Sequence, residues 1–179
     1  MGIEPKDEVT SAYTAEEVHH IVEESHREGL VEEDQFGLLG AALEFSDKSA
    51  RDVGVPVGDL VTVAEGATPE HVERLVAKTG FSRFPTVNAA GEVSGYLHLK
   101  DVLYADTDDE YHLPIPAKRL RRLATVRPED EVEDVLATMQ RTGTHLARVV
   151  GPDGSVRGIV FLEDVLEELV GEVLDDSQR

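Results

Sequence analysis

The chain repeats itself with an offset of 63 residues. When residues 60–103 are aligned with residues 123–166, 15 of the 44 positions are identical and no gap is needed. The identities include turn glycines, valines of extended segments and two acids, which are residue types that define a fold. Two copies are too few for a solenoid, whose periods are also usually shorter. The offset therefore predicts a duplicated unit with pseudo-two-fold symmetry.

Each copy predicts the same order of elements. Helical periodicity covers residues 69–79 and 129–142, with Pro69 and Pro128 near the first turn, where a missing N–H does little harm. Gly80 and Gly143 follow these helices, at the place of a C-terminal cap. The other predicted elements are extended pieces at 62–63 and 125–126, strands at 84–87, 92–98, 146–150 and 155–161, turns at 88–91 and 151–154, and second helices at 99–104 and 162–173. The predicted fold is α/β, with a β-α-β-β-α unit present twice.

The N-terminal part of the chain has a different pattern. Residues 15–28 and 32–45 are predicted as two amphipathic helices broken at Gly29, and Thr14 forms a capping box with Glu17. Their outer faces are strongly acidic. We expect an acidic helical arm over residues 1–48, one repeat at 49–111, a second at 112–175 and a tail at 176–179.

Composition excludes several classes of function. Against 17 Lys and Arg stand 37 Asp and Glu, and the net charge of −20 repels nucleic acids and anionic membranes. An anionic ligand would need local donors and would arrive with a divalent cation. The lack of cysteine removes disulfides, thiol catalysis and cysteine-based zinc sites. Motifs such as GxSxG and the P-loop are also missing, so we do not expect an enzyme.

Targeting signals are missing from the sequence as well. No apolar stretch approaches the roughly 20 residues that a membrane span needs. Residues 1–10 lack the apolar centre of a signal peptide. We therefore expect this chain to be cytoplasmic.

Several segments together resemble one known family. The duplicated unit, with its Gly-x-x-x-x-x-Asp ending, resembles the CBS domain pair, or Bateman module. Residues 30–53 resemble the acidic helical linker of the CNNM/CorC (hemolysin C-like) magnesium and cobalt efflux family. The segments most similar to the cytosolic part of that family are SARDVGVP at 49–56, SRFP at 82–85, GYLHLKDVL at 95–103 and GIVFLEDVLEELVGEV at 158–173.

The resemblance has implications for the whole protein. In that family a membrane domain precedes the CBS pair and a small domain follows it, so this chain would be a fragment from the cytosolic face of the cell membrane. The CBS pair would form a flat homodimer, because isolated pairs leave apolar helix faces uncovered. It would control a membrane domain that moves Mg²⁺ or Co²⁺.

The resemblance also implies a cleft between the repeats that binds AMP or ATP, with or without Mg²⁺. A carboxylate can accept both ribose hydroxyls, and a helix N-terminus attracts an anion. Transferred to this sequence, the two acids are Asp101 and Asp164, and Arg83 is the phosphate partner because its forked donors match phosphate oxygens. No metal ligand is assigned. The implied nucleotide-binding residues are Thr62, Ser82, Arg83, Phe84, Pro85, His98, Asp101, Thr125, His145, Leu146, Ala147, Phe161 and Asp164.

Some positions depart from the family pattern. The usual threonine is Phe161 in the second repeat and His98 in the first. Phenylalanine cannot donate to phosphate and could fill the pocket, whereas histidine can still donate. Val57 and Gly54 replace the usual arginine and methionine. These changes favour AMP or another purine over ATP, and they leave open an alternative, a structural dimerisation scaffold with a degenerate ligand site.

Simpler interpretations remain for other charged residues. Asp101 and Asp164 could act only as acids at helix N-termini, where each contributes about 0.3–1 kcal/mol. A metal site among His19, His20 and His26 is less favoured than a solvated helix surface. The basic run at 118–122 could reach a triphosphate, dock an acidic helix or simply be solvated.

Overall fold

The computed structural model describes residues 15–32, 35–37, 40, 45 and 47–170. Ser46–Glu167 form one compact unit, and Met1–Phe45 with Glu168–Arg179 form another. The smaller unit contains helix α1 (Ala15–Arg27), which is followed by Gly29 at a φ of 75°. This confirms the predicted helix at 15–28 and the break after it. The predicted cap at Thr14 and most of the predicted helix at 32–45 lie outside the described residues.

The larger unit contains the repeats. Within the described part of the chain, no helix has the length and apolar character that crossing a bilayer demands. Short 3₁₀ turns occupy Val57–Asp59, Leu99–Asp101 and Ala117–Arg119. The helices and strands are α2 (Ala50–Val53), β1 (Val55–Pro56), β2 (Val63–Ala64), α3 (Pro69–Thr79), β3 (Arg83–Val87), β4 (Val93–His98), α4 (Asp108–His112), β5 (Ala124–Val126), α5 (Val132–Thr142), β6 (Leu146–Val150), β7 (Val156–Phe161) and α6 (Leu162–Val170).

The duplication extends to individual hydrogen bonds. The backbone N–H of Leu99 donates to the carbonyl of Ser82 at 2.8 Å, and 63 residues later Leu162 donates to His145 at 2.9 Å. Both α3 and α5 end at a glycine in the left-handed region, where a side chain would be strained: Gly80 at a φ of 75° and Gly143 at 64°. The predicted repeat and its helix caps are therefore confirmed.

Each repeat builds a sheet, and the segment that leads into each repeat crosses to the sheet of the other. β2, β3 and β4 form one sheet, in which β2 is parallel to β3 and β4 is antiparallel to it. β5, β6 and β7 repeat this arrangement, and β1 adds to β7 as a fourth, antiparallel strand. In the opposite direction, Arg121 pairs with Tyr96 of β4 through backbone hydrogen bonds of 3.0 and 2.9 Å. The two repeats thus exchange backbone segments.

Two glycines of the repeat make this exchange possible. A Cβ atom on Gly158 would lie 2.6 Å from the carbonyl oxygen of Val55. A Cβ atom on Gly95 would lie 2.7 Å from the carbonyl oxygen of Arg121. Real Cβ atoms do not approach backbone oxygens so closely, so only glycine lets the crossing segments pair. These glycines match at the 63-residue offset, because in both copies a carbonyl oxygen of the crossing segment lies against the glycine.

Apolar side chains bury the first sheet against its helices and join the two sheets. The core of the first repeat contains Val63, Val72, Phe84, Leu97, Val102 and Ile115. A second cluster combines Val93 and Tyr96 of β4 with Leu146 of β6 and Ile159 of β7. Since all four of these side chains are at most 5 % exposed, the repeats share a closed apolar interface. Such burial contributes about 1.5–3 kcal/mol for each large side chain.

Two predicted helices differ from the structure. The helix predicted at 99–104 is only a 3₁₀ turn, because the sequence turns polar after Tyr104 and offers no apolar face to continue. The chain instead starts the short helix α4, capped by the Thr107 hydroxyl, which the sequence did not indicate. The helix predicted at 129–142 begins at Val132, because Asp130 closes a tight turn by accepting from the Arg127 N–H at 2.8 Å.

The close approach at the crossing predicts a strong effect of adding one methyl group. We expect Gly158→Ala to lower the free energy of unfolding by about 1–3 kcal/mol, because the backbone must shift to make room. Urea denaturation followed by circular dichroism measures this change. Gly58→Ala is the matched control, since its Cβ would meet nothing within 4 Å. Equal stability of the two variants would contradict the steric account.

Candidate functional site

A pocket of about 380 Å³ opens between the two repeats. One side comes from β1 and the segment that connects it to β2. A second side comes from the end of α3 and the start of β3, and the third comes from the end of β7 and the first turn of α6. The lining residues are Val55, Asp59, Leu60, Val61, Gly80, Phe81, Ser82, Arg83, Phe161, Glu163 and Asp164.

The lining has the composition of a small-molecule site. Five apolar side chains share it with a few groups that can form directional bonds, which is the usual combination in ligand pockets. Phe81 is 55 % exposed and offers an aromatic face to a ligand. Asp164 lies in the first turn of α6, where the helix dipole stabilises a carboxylate. The pocket can therefore hold an apolar ring together with a group that donates hydrogen bonds.

Arg83 connects the two repeats at this pocket. It lies at the start of β3, and one Nη atom forms an ion pair with the carboxylate of Glu163 on α6. The other Nη atom lies 3.4 Å from Nδ1 of His145, and because a guanidinium only donates, Nδ1 accepts. The Nε atom of Arg83 is buried and lacks a hydrogen-bond partner among the described atoms. A first-repeat arginine thus contacts two residues of the second repeat.

The acid of the first repeat, Asp101, forms an ion pair with Arg121. Arg121 holds Asp101 through two hydrogen bonds, 2.7 Å from Nε and 2.8 Å from Nη2. Asp101 also accepts from the backbone N–H of His98 at 2.9 Å. Partial burial acts to raise the pKa of Asp101, but the bonds from Arg121 and His98 outweigh it and lower that pKa. This carboxylate is therefore committed to a protein partner.

His98 serves as a cap rather than a cationic donor. Burial lowers the pKa of its imidazole, and the nearby guanidinium groups of Arg83 and Arg121 act in the same direction. Its Nδ1 atom accepts from the backbone N–H of Lys100 at 2.9 Å, so that atom carries no proton. Only Nε2 can then donate, and the imidazole is neutral near pH 7. The donating role suggested by the sequence is limited to this one atom.

The residues predicted for the cleft are divided by the structure. Ser82, Arg83, Phe161 and Asp164 line the pocket. His145 is outside the lining but contacts Arg83. Four predicted strand residues have buried side chains that do not line it: Phe84, Pro85, Leu146 and Ala147.

The predicted threonines lie elsewhere. Thr62 is half-buried beside Val61 but is not part of the lining. Thr125 is exposed, accepts from Nε of Arg148 at 2.9 Å and lies at a separate depression with residues 126–130 and 150–152. Neither hydroxyl lines the pocket that contains Asp164.

Sequence reasoning missed seven residues of the lining and one residue outside it. Glu163 adjoins Asp164 and could have been suspected from its position alone. Arg121 was noted only as part of the basic run at 118–122. Of the other missed lining residues, Val55, Asp59, Leu60 and Val61 are brought in by the crossing of β1 and the segment after it, which no sequence offset reveals. Gly80 and Phe81 directly precede the predicted Ser82 in the chain.

Comparison with known families agrees with this architecture. The model of the CBS domain matches the chain twice, at residues 50–108 and 118–171. The chain is a pair of CBS domains. The matched ranges fall within the repeats predicted at 49–111 and 112–175, and the CBS pair has the two-sheet α/β fold that the repeat implied.

Two solved structures similar to this CBS pair come from one transporter family. The CBS domain of the bacterial CNNM/CorC family Mg²⁺ transporter is 25 % identical, with a TM-score of 0.78 over 92 % of this chain and 100 % of that one. The same domain in complex with ATP is 26 % identical, with a TM-score of 0.68 over 76 % of this chain and 97 % of that one.

Curated relatives are longer than this CBS pair. An uncharacterized protein of Mycobacterium tuberculosis is 38 % identical over 184 residues, covering 100 % of this chain and 53 % of the relative. The magnesium and cobalt efflux protein CorC of Salmonella typhimurium is 27 % identical over 90 % of this chain and 55 % of that protein. The chain thus spans about half the length of these relatives.

The ion pair at Asp101 predicts a pH-dependent contribution to stability. We expect Asp101→Asn to lower the free energy of unfolding by about 1–2 kcal/mol at pH 7, a modest figure because the partner Arg121 is 45 % exposed. The pKa of Asp101 is lower in the folded than in the unfolded protein, so this contribution is present above about pH 4 and disappears as pH falls through the folded value.

Urea denaturation at a series of pH values from about 7 to about 3 measures this difference. The gap between the unfolding free energies of wild type and Asp101→Asn should narrow as the pH falls toward the acidic end. Asp106→Asn removes the same charge from an exposed site nearby and should leave stability within about 0.5 kcal/mol at every pH. A gap that stays constant with pH would refute the role given to the ion pair.

Proposed function

We propose that this CBS pair is a non-enzymatic regulatory module that binds an adenine nucleotide, AMP or ATP, in the pocket between its repeats. The observation that carries the proposal is the arrangement around Asp164, where a carboxylate, an arginine, a hydroxyl and apolar walls line one cavity of about 380 Å³. A related CBS domain with 26 % identity has been solved in complex with ATP, which supports the same class of ligand here.

Each part of a nucleotide has a partner in this pocket. Asp164 accepts the ribose hydroxyls, since an ionised carboxylate offers only acceptors. Phe81, Leu60 and Val61 hold the flat base by apolar contact. The hydroxyl of Ser82 and the guanidinium of Arg83 face the phosphate end. We therefore place the nucleotide at Asp164, because at the pseudo-symmetric position the Asp101 carboxylate is bound by Arg121.

The charges of the lining favour Mg²⁺ as a companion of any triphosphate. Asp59, Glu163 and Asp164 carry three negative charges, and Arg83 carries one positive charge, a sum of −2. Bringing a free triphosphate to such a site is opposed by repulsion at short range. A bound Mg²⁺ would reduce the ligand's own charge, and we expect ATP to bind better with it than without it.

The position of the pocket between the two repeats suggests how a bound ligand could regulate the protein. A ligand there contacts both repeats and can shift their relative arrangement, but only by its difference in affinity for the two states. We propose that, in a longer protein at the cytosolic face of the cell membrane, this shift controls a membrane domain that transports Mg²⁺ or Co²⁺. Similarity to the CorC protein of Salmonella typhimurium supports this assignment.

Two exposed leucines at equivalent places in the repeats could contact a second copy of the chain. Leu103 and Leu166 occupy equivalent positions at the 63-residue offset and are 63 % and 44 % exposed. Pseudo-symmetric apolar groups can meet the same groups of a second chain in an isologous interface. We propose that the pair forms a homodimer through these residues.

One observation favours a different function. Phe161 stands in the pocket where the family pattern has a hydroxyl, so a scaffold that dimerises without a ligand is the second candidate. Such a scaffold would keep the Leu103 and Leu166 surface and would not respond to nucleotides. The two candidates therefore differ in a single measurable property, ligand binding.

Isothermal titration calorimetry with AMP, ADP and ATP, each with and without Mg²⁺, tests the nucleotide proposal. We expect Asp164→Asn to weaken binding by about tenfold or more, because it removes the charged acceptor of the ribose. Glu167→Gln, in the same helix but exposed and outside the lining, should change affinity by less than about twofold. No binding at millimolar concentrations of any nucleotide would reject the sensor and leave the scaffold.

Light scattering after gel filtration tests the dimer. Wild type should have about twice the chain mass of 19.6 kDa, and Leu103→Glu combined with Leu166→Glu should give a monomer, because paired carboxylates cannot be buried cheaply. Leu113→Glu is the matched control, since Leu113 is an exposed leucine as well, with an exposed fraction of 58 %. A dimer that survives the double substitution would exclude this interface.

A further inference from the structure

We propose that Glu163 is an internal anion that competes with the phosphates of a ligand for Arg83, so that the pocket selects adenine ligands with few phosphates. This inference rests on the proposed nucleotide function. It names the ligand class within that function, namely adenosine and AMP in preference to free ATP. It also assigns a specificity-determining role to a residue that lies beside the ribose carboxylate.

The contacts of Arg83 carry the argument. Its two Nη atoms are engaged by Glu163 and by Nδ1 of His145, and Ser82 Oγ lies 3.5 Å from the Nη atom that Glu163 holds. Among the described residues that line the pocket, Arg83 is the only cation. Any phosphate that enters therefore finds its one charged partner already neutralised.

The two members of the ion pair differ in burial. The side chain of Arg83 is 20 % exposed, whereas that of Glu163 is 51 % exposed. The side chain of Glu163 can rotate toward the solvent, because it is already half exposed. The more buried Arg83 stays in the pocket. A phosphate thus binds by displacing Glu163. The free energy needed for this displacement weakens the binding of the phosphate.

The rest of the lining adds to the same preference. Released Glu163 remains close to the entering phosphates, and Asp59 and Asp164 also line the cavity. Each further phosphate charge meets these carboxylates without a second cation to balance it. Phe161 contributes no donor in place of a hydroxyl. The base and ribose, in contrast, contact the apolar walls and Asp164, which are not members of the ion pair between Arg83 and Glu163.

Calorimetric titration of adenosine, AMP and Mg²⁺-free ATP into the wild type and Glu163→Gln tests the inference. We expect the wild type to bind adenosine and AMP more tightly than ATP. Glu163→Gln should bind ATP at least about fivefold more tightly than the wild type while adenosine affinity changes by less than about twofold. Glu167→Gln removes an equal charge from the same helix outside the lining and should change neither ligand by more than about twofold.

A double substitution shows whether the effect passes through Arg83. In an Arg83→Gln background, Glu163→Gln should no longer improve ATP binding, because the arginine for which Glu163 and the phosphates compete is gone. Persistence of the gain in that background would overturn the inference in favour of a general charge effect. ATP affinity that is unchanged or weaker in Glu163→Gln would also overturn it, while adenosine binding would still support the proposed function.

Two remaining outcomes are also decisive. ATP binding that appears only in Glu163→Gln would support the inference in its strongest form, in which the ion pair blocks phosphates entirely. If neither the wild type nor Glu163→Gln binds any of the three ligands, the proposed function and the inference fall together. Thermal denaturation of each variant confirms that the proteins compared are folded.

Discussion

The structure depends on the reciprocal exchange of backbone between the two repeats. β1 completes the sheet of the second repeat, and Arg121 pairs with β4 of the first. Both crossings run over a glycine, Gly158 and Gly95, whose missing Cβ leaves room for a carbonyl oxygen. Because each repeat supplies backbone hydrogen bonds to the other, neither can satisfy its own sheet alone, and the pair folds as one body.

The exchange also creates the pocket that we propose as the nucleotide site. The segment that follows β1 carries Asp59, Leu60 and Val61 across to the side where Phe161 and Asp164 stand. Both repeats therefore contribute residues to the pocket, and a ligand bound there would contact both of them. Arg83 strengthens this coupling, since it reaches from β3 to Glu163 and His145 of the second repeat.

Asymmetry enters at residues where the two copies have diverged. The equivalent acids Asp101 and Asp164 share a place in the repeat, yet Arg121 binds the first, whereas the second lines the described pocket. The second helix likewise persists as α6 in one copy and shrinks to a 3₁₀ turn in the other, since residues 106–110 lack apolar side chains. Divergence at few positions thus turns two symmetric places into one proposed binding site and one structural ion pair.

The sequence alone determined what depends on local periodicity and on the duplication. The 63-residue offset, the glycine caps at Gly80 and Gly143, and most strand positions could be predicted because they follow from neighbours along the chain. The acids Asp101 and Asp164 and also Arg83 could be singled out through the resemblance to the CBS family. Only the tertiary structure decided that β1 crosses over, that Arg121 closes on Asp101, and that Glu163 holds Arg83. These are contacts between residues distant in sequence, and their partners are set by packing geometry, which no local pattern encodes.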